Sequence, residues 1–163
     1  MTRRNLLLGG AGMALALSPL LRALSAAAPA EPHFELSLSE AEWKARLSPE
    51  QYQVLRRAGT ERAFSSPLLH EKRVGRFLCA GCALPLFASS TKYDSGTGWP
   101  SFWAPLEQGV GTTEDRSFGM LRVGVHCRRC GGHLGHVFDD GPPPTGKRYC
   151  MNGVALTFSP AKS

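Results

Sequence analysis

Two short cysteine pairs constrain this chain more than anything else in it. Cys79-Ala80-Gly81-Cys82 and Cys127-Arg128-Arg129-Cys130 are Cys-x-x-Cys knuckles. In such a knuckle the loop turns its backbone amides toward the sulfurs, and Gly81 and the glycines after Cys130 ease the turn, so two thiolates can share one ion. Two knuckles complete a closed tetrahedral site, structural in kind because no position is left for water or substrate. Cys127 follows Cys82 by 45 positions, a spacing longer than a compact zinc ribbon. The ion would therefore staple distant strands. The alternative is a pair of disulfides, which an oxidising compartment favours. One zinc held by Cys79, Cys82, Cys127 and Cys130 is the reading adopted, for a reason found at the N-terminus.

Thr2-Arg3-Arg4-Asn5-Leu6-Leu7-Leu8 resembles a twin-arginine export signal. The apolar stretch from Leu6 to Leu21 is interrupted by Gly9, Gly10, Gly12 and Pro19. That is too broken for a membrane span, which needs about 20 apolar residues in a row. Ala28-Pro29-Ala30 has the small-x-small pattern of a signal peptidase site, so cleavage is expected after Ala30, leaving residues 31–163 as the working domain. The competing reading is an uncleaved anchor. The twin-arginine route, as the resemblance implies, carries passengers already folded. Zinc would then be loaded in a reducing cytoplasm before the periplasm is met.

Removing that segment also changes the charge argument. The chain carries 19 basic and 13 acidic residues, a net +6, but Arg3, Arg4 and Arg22 go with the signal and leave +3. Lys and Arg never run longer than a pair, and no aromatic residues interleave with them, so nucleic acid is not an expected partner. With 42% hydrophobic and 20% charged residues, the full chain has the composition of a globular protein, and one domain that leaves the membrane after cleavage is expected.

Ser39-Glu40-Ala41-Glu42 is a capping box, and Ser48-Pro49-Glu50-Gln51 repeats it with proline at the first helical position. Helices are expected over 40–46 and 49–58, with Gly59 as the stop, so the helical lead occupies 39–59. Beyond it, Gly, Pro, Thr and aromatic residues recur and no helical period holds. Val74–Leu78, Gly119–His126, Gly135–Phe138 and Arg148–Phe158 read as strands of a β domain over 70–158. The fold class expected is mainly β: two antiparallel sheets in a zinc-stapled, tent- or barrel-like domain behind short helices.

Five cysteines less four ligands leave Cys150. Period two puts Cys150 and Asn152 on one face of their strand, with Tyr149 and Met151 on the other. A solitary cysteine is more often buried filler than nucleophile. Here, however, Gly131-Gly132-His133-Leu134-Gly135-His136 supplies two histidines beside a knuckle. In a straight strand His133 and His136 face opposite ways, so both reach one site only through a bulge or turn near Gly135. A thiol and two imidazoles together point to nucleophilic and acid–base work.

Three blocks then carry a resemblance. Ser95-Gly96-Thr97-Gly98-Trp99-Pro100-Ser101-Phe102, the run Arg129-Cys130-Gly131-Gly132-His133-Leu134-Gly135-His136 continuing to Pro142, and Thr145-Gly146-Lys147-Arg148-Tyr149-Cys150-Met151-Asn152 resemble the signatures of methionine sulfoxide reductase B. The resemblance runs from the Ser39 helix to Phe158. It implies a zinc-bound pair of antiparallel sheets that reduces the R epimer of methionine sulfoxide in oxidised proteins or peptides. It assigns attack to Cys150, proton transfer to His133 and His136, orientation to Asn152, the substrate's S-methyl group to Trp99, and zinc to the knuckles. Many members carry a resolving cysteine where this chain has Thr97. No spare thiol remains here, so an external reductant, in the export compartment a thioredoxin-like domain, is expected to act on Cys150 of a monomer. A zinc-stapled binding module without chemistry is the principal alternative, and it predicts no dependence on Cys150.

Overall fold

The computed structural model describes residues 33–162; the export signal and the cleavage point at Ala30 fall outside them. Helices α1 (Glu40–Arg46) and α2 (Pro49–Arg57) begin as their capping boxes dictate. Ser39 Oγ accepts from the Glu42 amide at 3.3 Å while Glu42 accepts from the Ser39 amide at 2.8 Å, and Ser48 and Gln51 repeat the exchange. The stop differs from expectation by one residue. Ala58, not Gly59, takes the left-handed conformation, and the Gly59 amide then donates to the Gln53 carbonyl at 2.9 Å. Trp43, Tyr52, Val54 and Leu55 are the buried face of this lead.

Nine strands follow: β1 (Gly75–Cys79), β2 (Pro85–Ala88), β3 (Lys92–Tyr93), β4 (Ser101–Phe102), β5 (Val110–Asp115), β6 (Arg122–Cys127), β7 (His133–Phe138), β8 (Arg148–Met151) and β9 (Leu156–Pro160). They make two antiparallel sheets, one ordered β2-β1-β9 and the other β3-β4-β8-β7-β6-β5. Phe77 and Phe87 from the first sheet meet Phe102 from the second, with ring centroids 4.9 and 4.3 Å from it, and none of the three is exposed. Each such ring contributes on the order of 2–3 kcal/mol through burial, so this trio ties the sheets together.

Two strand expectations need correction. Arg148–Phe158 is not one strand but two in different sheets, because the buried Asn152 ends β8 and a 3₁₀ turn at Gly153–Ala155 carries the chain across. The stretch Gly119–His126 becomes β6 only at Arg122; Ser117–Gly119 before it is a 3₁₀ turn. The chain also pairs β2, β3, β4 and β5, which were not anticipated. The cysteines mark where the sheets meet: Cys79 ends β1 in one sheet and Cys127 ends β6 in the other.

Candidate active site and metal centre

The four knuckle cysteines converge. Their sulfurs all lie within 4.8 Å of one another and all four residues are buried. Tetrahedral Zn–S bonds of about 2.3 Å put sulfurs about 3.8 Å apart, and the closest pairs here are 3.4 Å (Cys82–Cys127) and 3.7 Å (Cys79–Cys130). Both separations are far beyond an S–S bond of about 2.05 Å. Each knuckle is closed by its own backbone, Ala83 N donating to Cys79 O at 2.8 Å and Gly131 N to Cys127 O at 2.9 Å. Hydrogen bonding among the sulfurs, and then burial, raises the Cys79 and Cys127 thiols; the same sulfur contacts lower Cys82 and Cys130. So compact and buried a set of four sulfur donors could hold a metal ion.

The second cluster is built by strand pairing. Cys150 on β8 lies opposite His136 on β7 and opposite Ser101 on β4, so the three side chains share one face of the larger sheet. The expected bulge is present. Val125 pairs with Gly135 but the next residue, His126, pairs with His133, which leaves Leu134 as the extra residue. His133 thereby turns to the side of His136, and their rings stand 5.3 Å apart. Gly135 is needed for this approach, because a Cβ there would fall on the Cys150 carbonyl oxygen.

A pocket of about 150 Å³ opens at this point, with Trp99, His136, Cys150 and Asn152 in its wall beside Thr60, Arg122, Gly135 and Phe138. Four of the five residues assigned to chemistry or substrate from the sequence thus meet in one cavity. His133 lies outside its lining, behind His136. Asn152 is buried and fully oriented: its Nδ2 donates to the Leu134 carbonyl at 3.0 Å, and its Oδ1 accepts from the Glu61 amide at 2.9 Å.

Two partners of this site gave no signal in the sequence. Asp115, at the end of β5, accepts from His136 Nε2 at 2.6 Å and from Arg122 at 2.8 Å. Hydrogen bonds from Ser117 first, and then from His136, hold the Asp115 carboxyl well below the usual carboxylate range. An ionised carboxylate only accepts, so His136 Nε2 carries its proton toward Asp115 and Nδ1 is left for the pocket. The other partner is a chain of hydroxyls. Thr97 Oγ1 is 3.8 Å from Cys150 Sγ and 2.8 Å from Ser95 Oγ, which is 2.7 Å from Ser101 Oγ, which donates to the Trp99 carbonyl at 3.1 Å. Each hydroxyl has one proton, so with Ser101 committed to Trp99 the chain runs outward from the Cys150 thiol.

Burial, and next the neighbouring His136, pushes His133 down to about 4 from an ordinary value near 6.5. It is therefore neutral at pH 7. A histidine with a lowered folded-state value contributes stability that is complete above pH 6.5 and lost as the pH falls toward 4. That loss is on the order of 3 kcal/mol at 1.36 kcal/mol per unit. Urea unfolding between pH 7 and 4.5 should therefore be less pH-dependent in His133→Asn than in the wild type; identical slopes would show that His133 is not buried in its neutral form.

Residues 47–160 match the SelR domain family. A peptide methionine sulfoxide reductase MsrB from Pseudomonas putida (strain W619) is 58% identical over 120 residues, covering 73% of this chain and 90% of that protein. Its namesake from Agrobacterium fabrum is 50% identical over 127 residues, 77% of this chain and 94% of that one. One from the archaeon Methanosarcina barkeri is 57% identical over 121 residues, 74% and 85% respectively. The chain is thus a β domain of the SelR type, with a four-cysteine cluster that could hold a metal ion. Within that type, it belongs to the methionine sulfoxide reductase B family.

Proposed function

We propose that this chain is a peptide-methionine (R)-S-oxide reductase, returning oxidised methionine in proteins or peptides to methionine. The observation that supports the reading best is the meeting of Cys150, His136, Asn152 and Trp99 in one small cavity. A sulfoxide sulfur becomes electrophilic only as its oxygen gains a proton or a strong hydrogen bond. His136, held at Nε2 by Asp115, takes the Cys150 thiol proton at Nδ1 and passes it to the sulfoxide oxygen as the resulting thiolate attacks that sulfur. The S–O bond breaks, the oxygen passes to sulfur of Cys150, and methionine leaves behind a sulfenic acid. Neutral His133 supports His136 from behind and does not itself supply the proton at pH 7. Trp99 gives the methyl-sulfur group a soft aromatic wall, and Asn152 orients the oxygen.

Zinc is the ion that fits the four-thiol cage; Cys79, Cys82, Cys127 and Cys130 would hold it, and it would join β1 to β6 as a structural ion. Regeneration follows from Thr97, which stands 3.8 Å from Cys150 Sγ with a hydroxyl where a thiol would resolve the sulfenic acid. An external thiol, from a thioredoxin-like domain, condenses with the sulfenic acid to a mixed disulfide at Cys150 and releases water; a second thiol of the reductant then attacks that disulfide, freeing the Cys150 thiol and leaving the reductant oxidised. Export by the twin-arginine route completes the proposal; Arg3→Lys with Arg4→Lys should leave an unprocessed cytoplasmic precursor, and normal processing of that variant would rule the route out.

The deciding experiment presents R and S epimers of peptide methionine sulfoxide separately. Only the R epimer should turn over. After one equivalent without reductant, mass spectrometry should find one added oxygen at Cys150. Comparable use of the S epimer, or Cys150 joined to a knuckle cysteine with loss of zinc, would refute the scheme.

A further inference from the structure

Between α2 and the 3₁₀ helix at Pro67–His70 runs a loop in which Glu61 makes four hydrogen bonds to the pocket's frame. Its carboxylate spans the turn that ends β8: Oε1 accepts from the Gly153 amide at 2.6 Å and Oε2 from the Val154 amide at 2.9 Å. Its own amide donates to Asn152 Oδ1 at 2.9 Å, and its own carbonyl accepts from Trp99 Nε1 at 3.2 Å. Trp99 and Asn152 are 53 positions apart in sequence and come from different segments, yet both are fixed by the backbone of this one residue.

Packing alone does not hold the loop. Its far side borders an open groove of about 850 Å³, lined by Glu61 itself with Val54, Arg62, Val154 and Phe158 among others. With open space behind it, the loop's position against the pocket depends on hydrogen bonds, and two backbone amides donating to one carboxyl group hold it at two points. The carboxylate contacts neither Cys150 nor the cavity. Its reach is indirect, through a backbone whose two polar groups engage both walls.

We propose that Glu61 is a positioning residue for this reaction: its carboxylate clamps the Gly153–Val154 amides so that its backbone sets Trp99 and Asn152 relative to Cys150. The inference rests on the reading above that Trp99 and Asn152 frame the substrate. Small displacements of such walls cost rate and affinity even where the nucleophile is untouched. Glu61→Ala removes both acceptors, while Glu61→Gln keeps one oxygen and so retains part of the clamp.

The test uses the zinc-loaded protein with R-sulfoxide peptide and three readouts. In Glu61→Ala, kcat/KM should fall about tenfold or more, mainly through KM, with a smaller fall in Glu61→Gln, as for a lost orienting contact. Alkylation of Cys150 by iodoacetamide should stay within about twofold of wild type, because the thiol's own neighbours are unchanged. In ¹⁵N-labelled protein the indole N–H resonance of Trp99, assigned by its loss in Trp99→Phe, should shift while those of Trp43 and Trp103 stay. Should Glu61→Ala fail to fold, Glu61→Gln carries the same three readouts. Unchanged kcat/KM, an unmoved Trp99 resonance, or a collapse of all three indole resonances would each overturn the proposal. Absence of R-specific turnover in the wild type would instead overturn the reading beneath it.

Discussion

Cys150→Ser is expected to lose at least about a thousandfold in turnover of the R-sulfoxide while folding as the wild type does, since a neutral hydroxyl is a far weaker nucleophile than a thiolate. The substitution is nearly isosteric, and the side chain is only half-buried, on a strand whose pairing involves backbone atoms. Thr97 and the hydroxyls behind it accept a serine as they accept the thiol. Thermal unfolding and zinc content should therefore match the wild type. Activity within tenfold of wild type would mean that the pocket works without its only half-exposed thiol, and the sulfenic acid scheme would fall with it. Alkylation of Cys150 that leaves peptide binding intact, in a protein that turns over neither epimer, would favour a binding module instead.

The variant also separates two functions of cysteine in one chain. Cys150 sits 53 positions from Thr97 and on a sheet face with His136, while the other four thiols are buried where the sheets join. Burial without water access suits a structural ion, and partial exposure beside imidazole suits a nucleophile. Chemical modification of the folded, zinc-loaded protein should accordingly label Cys150 first.

What could be read from the sequence was read where the signal is local. Capping boxes involve residues three apart, and both helices begin where Ser39 and Ser48 place them. The knuckles are likewise local, and so is the glycine-flanked histidine pair, whose need for a bulge follows from strand period alone. Residues whose role depends on distant pairing left no mark. Asp115 ends β5, whose Gly-Thr-Thr-Glu-Asp lacks apolar alternation because the strand is largely exposed, and it meets His136 only across β6. Glu61 lies in a loop with no periodic pattern, 91 positions from Asn152. The break after Met151 escaped notice for a related reason: Val154, Ala155 and Leu156 continue an apolar run, and only the tertiary bonds of Asn152 and Glu61 turn it into a crossing between sheets. Period two reads a single strand and is blind to which sheet receives it.

Loss of one knuckle ligand should do what loss of Cys150 does not. In Cys79→Ser or Cys127→Ser a hydroxyl replaces a thiolate in a buried quartet, and the remaining sulfurs face one another with their charge uncompensated. Structural zinc binding contributes about 10–16 kcal/mol in small thiolate sites, against a total stability of about 5–15 kcal/mol for a domain of this size. Forfeiting it is comparable to that whole margin. The phenylalanine trio Phe77, Phe87 and Phe102 still draws the sheets together, so the expected product is a collapsed chain lacking near-UV dichroism and zinc, prone to precipitate, with α1 and α2 losing the surface they cover. Metal analysis and near-UV dichroism of both variants decide the matter. Oxidation gives an independent check, since the sulfurs closest to one another are Cys82 with Cys127 and Cys79 with Cys130, pairs that cross between knuckles. A folded, metal-free protein carrying those two cross-links would show that sulfur–sulfur bonds, and no ion, join β1 to β6. Zinc at one equivalent in the wild type, with none in either variant, is the result the cage geometry predicts.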